Sequence, residues 1–178
     1  MKSTENCAKH VKAGALFLSG IAAFVLQVPL ASAVDFGLGV ALEGSGSTVL
    51  IPIRTEILFI EPEIQFASQT QPSLKSRSVT PGVGVYWRKE LGALFETYIG
   101  GKLAFGATKQ TIGTTEIKTG SITLGPTIGI QHFFSKQFSL GLDASLPYQH
   151  GKTTQTGQPD TTFHSWSTET RVLLRAFF

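Results

Sequence analysis

From Val34 onward, apolar residues recur at every second position, the period of β-strands whose two faces meet different surroundings. Phe36, Leu38, Val40 and Leu42 alternate with Gly37, Gly39, Ala41 and Glu43. Phe95, Thr97, Ile99, Gly101, Leu103 and Phe105 alternate with Glu96, Tyr98, Gly100, Lys102 and Ala104. The same alternation runs over 49–54, 58–67, 79–88, 122–131, 138–148 and 166–178, and no helical period interrupts it. Eight strands of about 9–11 residues are predicted, enough to cross a bilayer at a tilt. Connections at 55–57, 89–94 and 134–137 are short, whereas 69–78, 107–120 and 149–162 read as longer polar loops. The segment 44–47 is the exception, a short connection on the loop side. Pro52, Pro62, Pro81, Pro126 and Pro147 fall inside strands, where each forfeits a ladder hydrogen bond, and they are expected at strand ends or bulges.

Charge decides what the two faces touch. From Val34 to Phe178 the chain has 12 basic and 11 acidic residues. Glu43, Arg54, Glu56, Glu61, Glu63, Arg88, Glu96, Lys102, Asp143, Glu169, Arg171 and Arg175 all lie on the Gly-rich face. The remaining charges sit at the start of the first strand, in turns or in loops, and the apolar face has none. A sheet facing water has no reason to exclude charge from one whole face. A lipid-facing surface does, because Lys or Arg at the bilayer midplane costs about 2–4 kcal/mol there. Lipid also cannot satisfy open strand edges, so the strands must close into a barrel. Glycines then belong inside, because an eight-stranded barrel is only just wide enough for its side chains.

The N-terminus changes the reading of composition. Lys2, Lys9 and Lys12 precede an apolar stretch over 13–30, and Ala31-Ser32-Ala33 supplies small residues for a peptidase. Residues 1–33 are therefore expected to be a cleavable signal peptide, cut after Ala33, with Ala31 and Ala33 as the recognition residues. The single Cys, Cys7, would leave with it. The sequence pI of about 9.1 is then partly a property of the signal. No basic stripe of a nucleic-acid binder remains.

The terminal segment TRVLLRAFF (170–178), with Val172, Leu174 and Ala176 alternating up to Phe178, resembles the last strand of the small eight-stranded outer-membrane barrels of the OmpA/OmpX type. The segments IGIQHFF (128–134) and FSLGLDASLPY (138–148) are similar to the penultimate hairpin of that family. The resemblance covers essentially 34–178. It implies an all-β, eight-stranded antiparallel up-and-down transmembrane barrel preceded by a signal peptide. It also implies that Val172, Leu174, Ala176 and Phe178 form a terminal signal read by the barrel-assembly machinery, and that the protein resides in the outer membrane of a Gram-negative bacterium.

Few residues suggest chemistry. His164 and Ser165 are adjacent and Ser167 lies three residues on, so strand alternation puts both serines on the face opposite His164, unsuited to nucleophile activation. His132, His150 and His164 do not share one strand face at ligand spacing, and no metal or cofactor is expected. Trp87, His132 and Trp166 read as outward residues of aromatic girdles. Gly37/Gly39 and Gly82/Gly84 follow strand alternation and lack the context of a nucleotide loop. The inward charges are read as a salt-bridged core closing the lumen.

Lys75, Arg77, Lys109, Lys118 and Lys152 are expected in loops facing lipopolysaccharide phosphates. The expected function is non-catalytic: membrane integrity or surface contact by a monomer, its partners outer-membrane lipid and lipopolysaccharide. A small-solute channel is the alternative, ahead of a lipid A-modifying enzyme or a periplasmic lipocalin-like carrier.

Overall fold

A computed structural model of the chain describes residues 34–43 and 46–178. The expected signal peptide, with Ala31 and Ala33, lies outside the described residues. These residues form eight antiparallel strands in one closed sheet. They are β1 (Asp35–Glu43), β2 (Gly46–Leu50 continuing as Ile53–Arg54), β3 (Leu58–Gln71) and β4 (Leu74–Glu90). There follow β5 (Phe95–Ile112), β6 (Thr115–Phe133), β7 (Phe138–Ser145 continuing as Tyr148–Gln155) and β8 (Thr161–Trp166 continuing as Glu169–Phe177). Each strand pairs with the next. β8 returns to β1, with Leu38 opposite Ala176 and Leu42 opposite Val172, so no edge is left open.

Pro52 and Pro147 sit where β2 and β7 break, as expected, whereas Pro62, Pro81 and Pro126 lie inside continuous strands. At the break in β2, Gly39 pairs with Leu50 on one side and Phe36 with Ile53 on the other, in the same register. Across the break in β7, Thr127 pairs with Ser145 and Leu124 with Tyr148, again without a slip. The proline carbonyls still accept: Pro52 from the amide of Gly37 at 2.9 Å, Pro126 from Leu146 and Pro147 from Ser167, both at 3.1 Å. Pro52, Pro126 and Pro147 thus keep their acceptor while lacking an N–H to donate. A one-residue slip would have moved charge onto the lipid face, which is why register is held through the breaks.

All three expected long loops are mostly strand, the third because β7 runs to Gln155 and β8 starts at Thr161. β3 and β4 remain paired out to Gln71 opposite Leu74, and β5 and β6 out to Ile112 opposite Thr115. The β5–β6 turn needs only two residues because Gly113 takes a left-handed φ of 58°. β5 has 18 residues and β6 has 19, about twice the strand length that spans a bilayer. The barrel wall therefore stands well beyond the apolar belt on this side. These extensions are Thr-, Ser- and Gln-rich on both faces, so they carry no apolar alternation to betray a strand.

Inside the wall, the turn end is packed by rings. Phe59, Tyr86, Tyr98, Phe133 and Phe177 form one buried cluster, with Tyr86 and Tyr98 centroids 5.2 Å apart. Glycines make their room: a Cβ on Gly129 would fall on the Tyr98 ring, and one on Gly84 on the Tyr86 ring. Gly129→Ala should accordingly destabilise by about 1–3 kcal/mol, because Tyr98 is wedged against Phe59 and Tyr86 and cannot retreat. Gly101→Ala is the control. That residue faces outward, and its nearest Cβ neighbour, the Gly125 carbonyl oxygen, is 3.6 Å away. Midpoints of heat-induced gel migration should fall for the first variant and hold for the second.

Candidate functional site

The lumen is filled by side chains from the inward faces of facing strands. At the turn end, Arg54 on β2 donates from Nε to Asp35 at 3.0 Å and lies 4.7 Å over the Phe177 ring and 5.0 Å over Phe133. Arg88 meets Glu96 at 3.1 Å and donates to the Thr55 carbonyl at 2.7 Å. Glu96 also accepts from the Gln131 amide at 2.8 Å. One layer further in, Arg175 reaches from β8 across the lumen to Glu61 on β3, donating from Nε at 2.6 Å and Nη2 at 3.0 Å. Its guanidinium lies 4.8 Å from the Phe59 ring centroid and donates to Gln131 at 3.1 Å.

Arg171, also on β8, sits one layer nearer the loops. It donates to both oxygens of Asp143, at 3.0 and 2.7 Å, and across the lumen to Glu63 at 2.7 Å. Glu43 stands 3.6 Å away. Lys102 pairs with Glu63 at 3.2 Å and with Glu169 at 3.8 Å. The side chains of Arg171 and Arg175 are 1% and 0% exposed, so two buried layers of ion pairs cross the bore. Above them, toward the loops, lies a polar vestibule of about 160 Å³ lined by Glu43, Lys102, Ser121, Gln149 and Glu169 among others.

Eleven of the twelve inward charges read from the sequence line this lumen or its rims. Glu56 does not: it is exposed in the β2–β3 turn, where strand parity no longer governs direction. Asp35, which the alternation does not single out, belongs to the set as the partner of Arg54. Pairing of β1 with β2 puts these two residues opposite each other.

On the outside, the belt is apolar and exposed, as at Leu38, Val85, Ile99, Leu124, Ile128 and Leu142. Trp87 is 65% and Trp166 66% exposed at opposite ends of the belt. Trp166 packs 5.0 Å from Tyr148, and His132 lies between Phe95 and Phe134 at 4.6 and 5.1 Å. Val172, Leu174 and Phe178 point outward along β8, with Ala176 half-buried on the same face.

The basic residues expected in loops are instead on strands. Lys75 and Arg77 lie on β4, Lys109 on β5, Lys118 on β6 and Lys152 on β7. Arg77 is opposite Lys109, and Lys109 opposite Lys118, so three cations form a row across three strands. Glu116 joins Lys109 at 2.6 Å and Lys118 at 2.9 Å. Hydrogen bonds from those two ammonium groups hold its carboxyl down to about 2. Lys152 pairs with Asp160 at 2.6 Å.

His164 and Ser165 occupy successive positions of β8 and so face opposite ways. The structure does join two histidines that sequence spacing kept apart: His150 and His164 are cross-strand partners. Only the β7–β8 register reveals that pairing. Among the described residues, no three His, Cys, Asp or Glu side chains are grouped to hold a metal.

The class of protein follows from a closed antiparallel barrel whose outer belt is apolar and uncharged and whose belt-level charges are inside. Solved structures with this architecture include a major outer membrane protein of Thermus thermophilus, at TM-score 0.57 and 14% identity, covering 82% of this chain and 100% of that one. Neisserial surface protein A aligns at TM-score 0.51 and 16% identity, covering 82% of this chain and 94% of its own. No family model and no curated protein matches the sequence. The chain has the fold of the small eight-stranded outer-membrane β-barrels. Its uncharged outer belt is the surface that such a location demands.

Proposed function

We propose that the protein is a non-catalytic barrel of the Gram-negative outer membrane, contributing to membrane integrity or to surface contact through its projecting hairpins. The observation that carries this reading is the double layer of Arg171 and Arg175, each bridging β8 to β3 across the bore with a fully buried side chain. A lumen blocked twice by ion pairs favours a structural barrel over the small-solute channel. The opposed faces of His164 and Ser165 favour it over a lipid A-modifying enzyme. The exposed apolar belt speaks against a lipocalin-like carrier, which would bury its apolar face around a ligand.

Two measurements test the proposal. Membrane-extracted protein should need detergent and show heat-modifiable gel migration; recovery as a soluble periplasmic protein would overturn the membrane reading. In planar bilayers the wild-type barrel should give no single-channel steps. Steady stepwise conductance would establish the channel instead.

A further inference from the structure

The outer wall is not electrically uniform. The outward positions of β1, β2 and β3 carry no charge among the described residues. Toward the loop end, the outward positions of β4, β5 and β6 carry Lys75, Arg77, Lys109 and Lys118 against one carboxylate, Glu116, while β4 adds Lys89 at the turn end. Like charges directly opposite on neighbouring strands destabilise a sheet, yet Arg77, Lys109 and Lys118 stand in one row. Glu116 offsets part of the repulsion through Lys109 and Lys118. A row of three cations, about 10 Å wide at the spacing of strands, suits an anion with several charges better than a single one.

Below this row the wall is notched. Gly101 projects no side chain, and its cross-strand partner Pro126 presents only a low ring. Leu124, Tyr148 and Trp166 stand around them and border a shallow, open apolar groove of about 470 Å³ on the outer surface. On β6, Lys118 and Leu124 are six residues apart, about 20 Å along the strand. That span exceeds one leaflet's hydrocarbon depth of about 15 Å only modestly, so a headgroup at the row and a chain in the groove fit one amphiphile.

Resting on the membrane reading above, we infer that the outer face of β4–β7 binds one membrane lipid with a multiply phosphorylated headgroup, the chemistry of lipid A. Its phosphates would meet Arg77, Lys109 and Lys118, and one acyl chain would lie in the groove over Gly101. Charge–phosphate hydrogen bonds give the site its preference, and the groove gives it register. A zwitterionic phospholipid supplies the chain but too little negative charge for the row.

Trp166 forms a wall of the groove and reports its occupancy. The full-length folded barrel carrying Trp87→Phe, in detergent, retains Trp166 as its sole tryptophan. Titration with bis-phosphorylated lipid A should shift its emission saturably. Dephosphorylated lipid A and phosphatidylethanolamine should bind at least about tenfold more weakly. The Arg77→Gln/Lys109→Gln/Lys118→Gln variant should lose about tenfold or more for lipid A, and Gly101→Leu should do the same by filling the groove. Both variants should keep heat-modifiable migration, which shows that they fold. Equal affinity of the three lipids, or affinity of either variant within twofold of the parent, would overturn the site. Those outcomes leave the barrel in the membrane and the proposed function intact, whereas recovery of the wild-type chain as a soluble protein overturns both.

Discussion

Arg171→Met should cost the barrel about 3–5 kcal/mol, the largest loss expected from any single substitution in the lumen. The side chain is 1% exposed and meets three carboxylates: Asp143, Glu63 and, at 3.6 Å, Glu43. Met fills much of the volume but leaves Asp143 without its bidentate donor and Glu63 with Lys102 as its remaining cation. The penalty is the desolvation of carboxylates left unpaired, not the worth of the pair itself. Two comparisons separate these terms. Adding Asp143→Leu and Glu63→Gln to Arg171→Met should restore most of the loss. Arg88→Met should cost less, since Glu96 keeps Gln131 and the more distant Arg54, and the Glu90 partner of Arg88 is solvent-exposed. Urea midpoints of the gel-migration transition measure all three. A triple variant no more stable than Arg171→Met would show that packing, rather than stranded charge, governs the lumen.

The distribution of residues that makes Arg171 critical is visible in the sequence, because lipid and lumen select opposite residue types at successive positions. That selection acts only where the wall crosses the membrane. The extensions of β3 to β6 face water or headgroups on both sides, so their Thr, Ser, Gln and Lys residues show no contrast and read as loops. Glu56 departs from its expected place for a related reason: parity does not carry past the end of β2 into a turn. Asp35 and the His150–His164 pair are hidden in the sequence because each depends on which residue of a neighbouring strand stands opposite. The same holds for the groove. Gly101 and Pro126 are ordinary members of their own strands and become a notch only as neighbours. Alternation along one strand is local information; register between strands is not.

Ile128→Lys should cost about 2–4 kcal/mol, and this substitution tests the orientation of the whole wall. Ile128 is 56% exposed in the middle of the β6 belt, between Ile99 on β5 and Ala144 on β7. On a water-soluble barrel, a surface Ile exposed to this degree could become Lys with little consequence, within about 0.5 kcal/mol. In hydrocarbon the ammonium must be dragged toward the interface or thin the bilayer around it. Depth provides the internal control. Ile122 lies on the same face of the same strand, six residues nearer the loop end of the belt, and Ile122→Lys should cost only about 0–1 kcal/mol. Folding into lipid vesicles of defined thickness, followed by denaturant titration, reads both values. A steep difference between two equivalent exposed isoleucines can come only from a gradient in the solvent. Equal, small costs at both positions would mean that water bathes the belt, and the sorted charges would then need another cause.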